Sequence, residues 1–259
     1  MGNFSASQRV AAEAVGTAFL LAAVVGSGIM GERLAGGNVA VALLANTLAT
    51  GAALIALIVT FGSVSGAHFN PAVTLTALAR GDLPRREAPG YVVAQLGGAI
   101  LGVVLANLMF ELPAVSISQH VRSGRGQLLS EFVATFGLVT VIQGTSRSRP
   151  GAVPFAVGAY ISAAYWFTAS TSFANPAVTV ARSLSDSFAG VRPVDVPGFL
   201  LAQACGAAAA VWVAGRVLRP IPADATGVVQ EVRCDEAIQR PLPLHRELRP
   251  EHHGRGDPE

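Results

Sequence analysis

The sequence predicts an all-α membrane protein with six transmembrane helices and two re-entrant half-helices arranged as an inverted repeat. Its composition is the first observation, because 51% of the 259 residues are hydrophobic and only 13% are charged, which is unusual for a soluble globular domain. The second observation is a series of six long apolar runs. The third is the five-residue sequence Asn-Pro-Ala-Val-Thr, which occurs at residues 70–74 and again at 175–179.

Each copy of Asn-Pro-Ala predicts the start of a helix. Asn is among the best N-cap residues, and Pro is favoured at the first helical position, where its missing N–H is not needed. The predicted helices, residues 71–79 and 176–184, are too short to cross a bilayer at ~1.5 Å per residue. Irregular backbone at membrane depth occurs only where it is packed in protein or lines a water-filled cavity. The two half-helices therefore indicate a pore.

The remaining apolar runs are long enough to span a hydrocarbon core, which takes ~20 helical residues. We keep the first run as a helix rather than a signal peptide, because it contains Glu13 and no clear cleavage site follows it. The predicted spans are residues 10–30, 38–61, 89–110, 127–145, 151–170 and 195–217.

Two further pairs of matched segments show that the chain repeats itself. Residues 13–17 in the first span match residues 131–135 in the fourth, and residues 94–99 in the third match residues 202–207 in the sixth. Each unit holds three spans, an odd number, so the second unit enters the membrane from the opposite side. The half-helices then enter from opposite faces, and their N-termini meet near the midplane.

These landmarks define a channel domain over residues 1–218, with repeats at about 8–110 and 127–218. Residues 219–259 are rich in Pro and charge and are expected to form a disordered tail. More Arg residues fall on the side of the membrane that holds the N-terminus, which favours cytoplasmic termini. His245, His252 and His253 in the tail lack the geometry of a metal site, and we expect a solvated tail.

At this point the sequence resembles the aquaporin, or major intrinsic protein, family. The resemblance covers residues 8–218 and rests on the six spans, the Glu-x-x-x-Thr of spans one and four, the Ser-Gly-Ala-His-x-Asn-Pro-Ala-Val-Thr loop at 65–74, and the two Asn-Pro-Ala motifs. It implies an aquaporin-like fold, with a right-handed bundle, one pore per subunit and a homotetramer in the lipid bilayer. The motif residues are Asn70, Pro71 and Ala72 in one repeat and Asn175, Pro176 and Ala177 in the other.

The pore walls are predicted from the residues around these motifs. Each half-helix presents about half a positive charge at its N-terminus, so two facing ends repel protons and other cations. Neutral solutes escape this barrier and exchange hydrogen bonds with the Asn side chains and with backbone carbonyls. The predicted carbonyl ladder consists of Gly66, Ala67 and His68 before the first motif and Thr171, Ser172 and Phe173 before the second.

The predicted selectivity filter departs from the pattern of the family. Most members carry Arg directly after the second Asn-Pro-Ala, whereas this sequence has Val178. By spacing from the motifs, the other filter positions fall on Thr50, Ala163 and Ser172. None of the four is a His or a large aromatic residue, so we expect a wide and nearly neutral filter.

Arg182 lies four positions after Val178, on the same face of the half-helix and one turn further along. One interpretation is that Arg182 reaches the outer vestibule and restores some rejection of cations. The alternative is a structural Arg that donates to loop carbonyls. The sequence leaves both open.

Glu13 and Glu131 are the acidic residues deep within the spans, where an ionisable group is a functional candidate. A proton relay is one interpretation. Their symmetric placement and their counterparts in the family favour another, in which each carboxylate accepts hydrogen bonds from the loop before a half-helix. Gln95 and Gln203 have small neighbours and are expected to serve helix packing. His68 is expected at the inner mouth of the pore; the alternatives are a role in bracing the loop and a pH gate.

The resulting prediction is a passive channel in the inner (plasma) membrane for small uncharged solutes. The absent filter Arg resembles the aquaglyceroporins of bacterial arsenic-resistance operons, which implies arsenite or methylated arsenicals as substrates beside glycerol and water. The alternative is a coupled secondary transporter, although few coupling groups are present. We expect no enzyme, no cofactor, no metal and no nucleic-acid partner, because no nucleophile or ligand cluster occurs and Cys205 and Cys234 lack metal-ligand spacing.

Overall fold

Eight α-helices form the part of the chain that the computed structural model describes, residues 4–217. The predicted tail, with Cys234 and the three tail histidines, lies outside the described residues. In chain order the helices are α1 (Ala6–Leu34), α2 (Val39–Ser65), α3 (Pro71–Arg80), α4 (Ala88–Met109), α5 (Arg125–Ser148), α6 (Val153–Phe167), α7 (Pro176–Arg182) and α8 (Val196–Val217).

Five of the described helical segments are long and apolar enough to cross a membrane, namely α1, α2, α4, α5 and the segment Pro193–Val217 that contains α8. The predicted span at 151–170 is shorter than expected, since α6 has only 15 residues. A 3₁₀ turn, Pro150–Ala152, precedes α6. At the other end the helix stops at Phe167, and residues 168–175 continue as non-helical backbone toward α7.

The half-helices begin where the sequence predicts. Asn70 caps α3 and Asn175 caps α7, each followed by Pro at the first helical position. α3 ends at Gly81, which adopts a left-handed conformation at φ 81°. α7 ends at Arg182 and is therefore two residues shorter than predicted.

The inverted repeat appears as matched helix packing. α1 packs against α4 in the first repeat, and α5 packs against α8 in the second. Both crossings depend on glycine: a Cβ atom at Gly98 would lie 2.2 Å from the carbonyl oxygen of Ala14, and one at Gly206 would lie 2.4 Å from that of Phe132. Real Cβ atoms do not approach so closely, so glycine allows these helix backbones to touch. The repeat in residues 94–99 and 202–207 has this physical origin.

The largest buried apolar cluster joins both repeats at the level of the half-helices. Phe69 and Phe173, from the segments before α3 and α7, belong to it together with Leu21 of α1 and Phe199 of α8. The non-helical segments are thus packed in protein rather than exposed to lipid, as irregular backbone at membrane depth requires.

Candidate functional site

The N-termini of the half-helices are joined by two reciprocal hydrogen bonds. Asn70 Oδ1 accepts from the N–H of Ala72 at 2.8 Å, and its Nδ2 donates to the carbonyl of Ala174 at 2.8 Å. Asn175 Oδ1 accepts from the N–H of Ala177 at 3.0 Å, and its Nδ2 donates to the carbonyl of Phe69 at 2.8 Å. Each amide nitrogen carries two hydrogens. One hydrogen of each Asn is thus held across the interface, and the second is available to the cavity that both residues line.

Two short backbone segments lead to these capped ends. Both contain non-glycine residues in the left-handed region, where φ is positive, a conformation that costs of order 1–3 kcal/mol per residue. In a β-strand, successive peptide planes point in opposite directions. Here a left-handed residue occurs at about every second position, and this prevents that alternation. The residues are Ala67 and Phe69 at φ 48° before α3, and Thr171, Ser172 and Ala174 at φ 59°, 49° and 48° before α7.

Glu13 of α1 holds the first of these segments. Its carboxylate is completely buried and accepts from the hydroxyl of Ser65 at 2.6 Å, from the N–H of His68 at 3.0 Å and from the N–H of Phe69 at 2.7 Å. Gln95 of α4 donates to the same carboxylate at 2.8 Å. Four donors fix the carboxylate, and the carboxylate in turn fixes the strained backbone.

Glu131 of α5 makes the equivalent contacts in the second repeat. It is also completely buried and accepts from Ser170 Oγ at 2.6 Å and from the N–H groups of Phe173 and Ala174, both at 2.9 Å. Gln203 of α8 donates to it at 2.6 Å. Both glutamates thus have the contacts of loop braces.

Gln95 and Gln203 have contacts that the sequence interpretation missed. Besides the glutamates, Gln95 Nε2 donates to Thr74 at 2.9 Å and Gln203 Nε2 donates to Thr179 at 2.8 Å. Each Gln therefore connects a brace to the half-helix that it supports. The sequence contained the signal, because both glutamines occur in the repeated segments and both threonines end the repeated Asn-Pro-Ala-Val-Thr.

A cavity of about 240 Å³ runs past both Asn residues. We call its two ends the N-terminal mouth and the distal mouth. The N-terminal mouth lies where α3 and α5 end, and it is lined by Arg80, Asp82, Gln143 and Ser146. The distal mouth, lined by Thr50, Tyr165, Ser172, Val178 and Arg182, lies beside α7. Between them the wall opposite the half-helices is apolar and includes Leu20, Val24, Leu54, Leu138, Ile142 and Val157.

Three of the four predicted filter residues line the distal mouth, and the fourth does not. Thr50, Ser172 and Val178 face the cavity, whereas Ala163 is exposed on the outer side of α6. Ile161 and Tyr165 of α6, four residues apart, line the cavity instead. The cavity-facing positions of α6 therefore lie two residues before and two residues after Ala163.

Tyr165 also changes the predicted character of the distal mouth, because it is a large aromatic residue. Its hydroxyl lies 3.2 Å from the hydroxyl of Thr50, within hydrogen-bond distance. One side of this mouth therefore carries a pair of hydroxyl groups, and Val178 contributes an apolar surface.

Arg182 is buried at the distal mouth, with 1% of its surface exposed. Its Nε donates to the carbonyl of Ala189, and its guanidinium carbon lies 3.5 Å from the centre of the Phe173 ring. Within residues 4–217 the two terminal nitrogens make no hydrogen bond, and the side chain lines the cavity. Arg182 thus combines a loop-carbonyl contact with a side chain that lines the cavity.

Arg122, in the segment between α4 and α5, is a second buried Arg that the sequence interpretation did not single out. Its guanidinium donates to the carbonyls of Gly190, Ser170 and Phe188 at 2.8, 3.1 and 3.3 Å. Burial lowers the pKa of Arg122 to about 10, so the group remains cationic at neutral pH. Its contacts tie the segment before α7 to the loop after α7.

His68 lines the cavity next to the first motif, and its Nδ1 lies 3.1 Å from Thr74 Oγ1. Within the described residues no group of three His, Cys, Asp or Glu side chains could hold a metal ion. Cys205 is an exposed free thiol on α8.

Comparisons with known proteins identify the family of the chain. The sequence profile of the family described as Major intrinsic protein matches residues 1–172. The chain is 53% identical over 220 residues to the aquaglyceroporin AqpS of Rhizobium meliloti (strain 1021), covering 85% of this chain and 94% of that protein. It is 32% identical over 214 residues to nodulin-26 of Glycine max, covering 80% of this chain and 76% of that protein.

The fold is also similar to that of the aquaglyceroporin from Plasmodium falciparum. An X-ray structure of that protein matches with a TM-score of 0.69 and 22% sequence identity, and the match covers 83% of this chain and 98% of that one. At this identity the match concerns the fold alone. Together with the profile and the relatives, it leads to one conclusion: the chain belongs to the major intrinsic protein family, whose members are multi-pass passive membrane channels and not enzymes.

Proposed function

We propose that this channel conducts small uncharged hydroxylated solutes: glycerol and water, and also the neutral trihydroxide of arsenite or methylated arsenicals. The observation that carries the proposal is Val178, which lines the distal mouth at the position where the sequence resemblance leads one to expect Arg. A Val side chain is smaller than Arg and offers no charge. A solute larger than water therefore has room to pass.

The path that we propose for the solute follows one polar wall. Asn70 and Asn175 supply N–H donors, and the carbonyls of residues 66–68 and 171–173 supply acceptors. The opposite wall is apolar, so a hydroxylated solute exchanges its hydrogen bonds with water one at a time along a single side. The positive ends of α3 and α7 face the same point and disfavour protons and other cations.

Arg182 has a separate proposed role at the distal mouth. An Arg side chain has five donor hydrogens, one of which is on Nε. The Nε hydrogen already binds the carbonyl of Ala189, so the hydrogens of the terminal nitrogens remain. We propose that they donate to the oxygens of an entering solute and that the charge repels cations. Val178 thus sets the width, while Arg182 supplies the charge one helical turn away.

The Rhizobium meliloti relative is an aquaglyceroporin, which supports glycerol as a substrate. For this chain we further propose a homotetramer in the inner membrane with cytoplasmic termini.

Stopped-flow light scattering on proteoliposomes tests the substrate proposal. Vesicles exposed to a glycerol or neutral arsenite gradient should shrink and then re-swell quickly, whereas vesicles without protein should re-swell slowly. Water flux without any glycerol or arsenite re-swelling would contradict the proposal. Uphill accumulation of solute under a proton or sodium gradient would contradict passive conduction.

A further inference from the structure

The N-terminal mouth contains two buried donors that no acceptor satisfies within residues 4–217. One is Nη1 of Arg80, at the end of α3, and the other is Nε2 of Gln143, near the end of α5. Gln143 is only 5% exposed. Both side chains line the cavity that passes the Asn-Pro-Ala motifs. An unsatisfied buried donor is unfavourable, so these groups are suited to a partner that arrives through the cavity.

The same mouth holds acceptors beside these donors. Asp82 Oδ2 accepts from Nε of Arg80 at 2.8 Å, which orients the guanidinium and leaves Nη1 free for another acceptor. The Asp82 carboxylate is more than half exposed and retains further lone pairs. Ser146, one turn of α5 beyond Gln143, lines the cavity with a hydroxyl group.

We propose that Arg80, Asp82, Gln143 and Ser146 form a second solute-binding subsite, which takes small neutral solutes with two or more hydroxyl groups. Arg80 and Gln143 donate to the solute oxygens, and Asp82 and Ser146 accept from the solute hydroxyls. The inference rests on the proposed conduction of such solutes. It adds a selectivity element at the end of the cavity opposite to Val178.

The position of the subsite explains how it acts. A solute that leaves the Asn residues toward this mouth passes the apolar side chains of Leu138 and Ile142, where it makes fewer hydrogen bonds. Gln143, which also lines the cavity, offers a side-chain donor at the mouth. A polyol that needs several hydrogen-bond partners at once benefits more from the subsite than a water molecule does, because a water molecule can bind the other waters in the pore.

Gln143→Leu tests the subsite, since Leu keeps similar bulk and removes the amide. We expect glycerol permeability of proteoliposomes to fall about fivefold, as for the loss of one hydrogen bond, while osmotic water permeability stays near that of the unchanged protein. Thr140→Val on the same helix is the matched control, because the Thr140 hydroxyl donates to Phe136 within α5 and does not line the cavity. Its glycerol and water permeabilities should match those of the unchanged protein.

Arg80→Met is the second variant and, like Gln143→Leu, should lower glycerol permeability. Retained water permeability shows that each variant is folded. If Gln143→Leu and Arg80→Met conduct glycerol like Thr140→Val, the subsite does not exist, although glycerol conduction itself stands. Equal losses of water and glycerol would also refute it, because they indicate structural damage. A protein that conducts no glycerol before any substitution would instead refute the proposed function.

Discussion

At the scale of single residues, we propose that the distal mouth divides two tasks, with Val178 setting the width and Arg182 supplying the charge. Val178 and Arg182 lie four residues apart on α7, and both line the cavity. The Arg182 guanidinium lies over the Phe173 ring, and its Nε is held by Ala189. These contacts fix its position.

Arg182→Met removes the charge of this side chain and keeps much of its apolar contact with Phe173. We expect the variant to conduct glycerol more slowly and to leak cations, because the donors and the positive potential at the distal mouth are both lost. Proteoliposome swelling and a cation-sensitive dye measure the two effects. Unchanged glycerol flux together with an unchanged cation leak would leave Arg182 with only its structural contacts.

At the scale of elements, the half-helices depend on braces that come from other helices. Glu13 and Gln95 hold the segment before α3, and Glu131 and Gln203 hold the segment before α7. These segments contain left-handed residues that are unfavourable on their own. A buried carboxylate with several donors offsets that strain through charge-assisted hydrogen bonds.

Glu131→Gln keeps the size of this brace but removes its charge and one of its acceptor oxygens. We expect the free energy of unfolding to fall by about 1.5–3 kcal/mol, the range for hydrogen bonds to charged groups. Thermal unfolding of the detergent-solubilised protein measures the loss. A stable variant that gained or lost proton-driven solute accumulation would support a proton relay and contradict the brace.

The contact between α1 and α4 gives a second prediction at this scale. Gly98→Ala places a Cβ atom against the Ala14 carbonyl and should destabilise the protein by about 1–3 kcal/mol, as overpacking does. Gly97→Ala is the matched control on the same helix, because no atom lies within 4 Å of the added Cβ. The control should be neutral or more stable, since Ala favours helix over Gly by about 1 kcal/mol. Equal melting temperatures for both variants would contradict the close crossing.

At the scale of the whole molecule, the two repeats use the same contacts with different side chains at the mouths. The braces, the caps and the reciprocal Asn70 and Asn175 hydrogen bonds are matched. The mouths are not matched, because Tyr165 and Arg182 line one and Arg80 and Gln143 line the other. The contacts that both repeats share form the pore, and the side chains that differ between the repeats distinguish its two ends.

The sequence could predict the symmetric part, because repeated residues mark repeated contacts. The half-helices, the repeat and the family were predicted in this way from Asn-Pro-Ala-Val-Thr, Glu13 and Glu131. The facing residue of α6 could not be found by spacing, since the count crosses non-helical backbone from Thr168 to Asn175. Arg122 was missed for a similar reason: its partners, Gly190, Ser170 and Phe188, are distant in sequence, and no repeat marks them.

We propose above all that Val178 keeps the distal mouth wide enough for solutes larger than water. Val178→Arg places a long cationic side chain there, and Val178→Leu is a matched apolar control. The measurement is the ratio of glycerol to water permeability in proteoliposomes. We expect Val178→Arg to lower that ratio severalfold while water still passes, with a smaller change for Val178→Leu. A glycerol to water ratio that Val178→Arg leaves unchanged would contradict the claim.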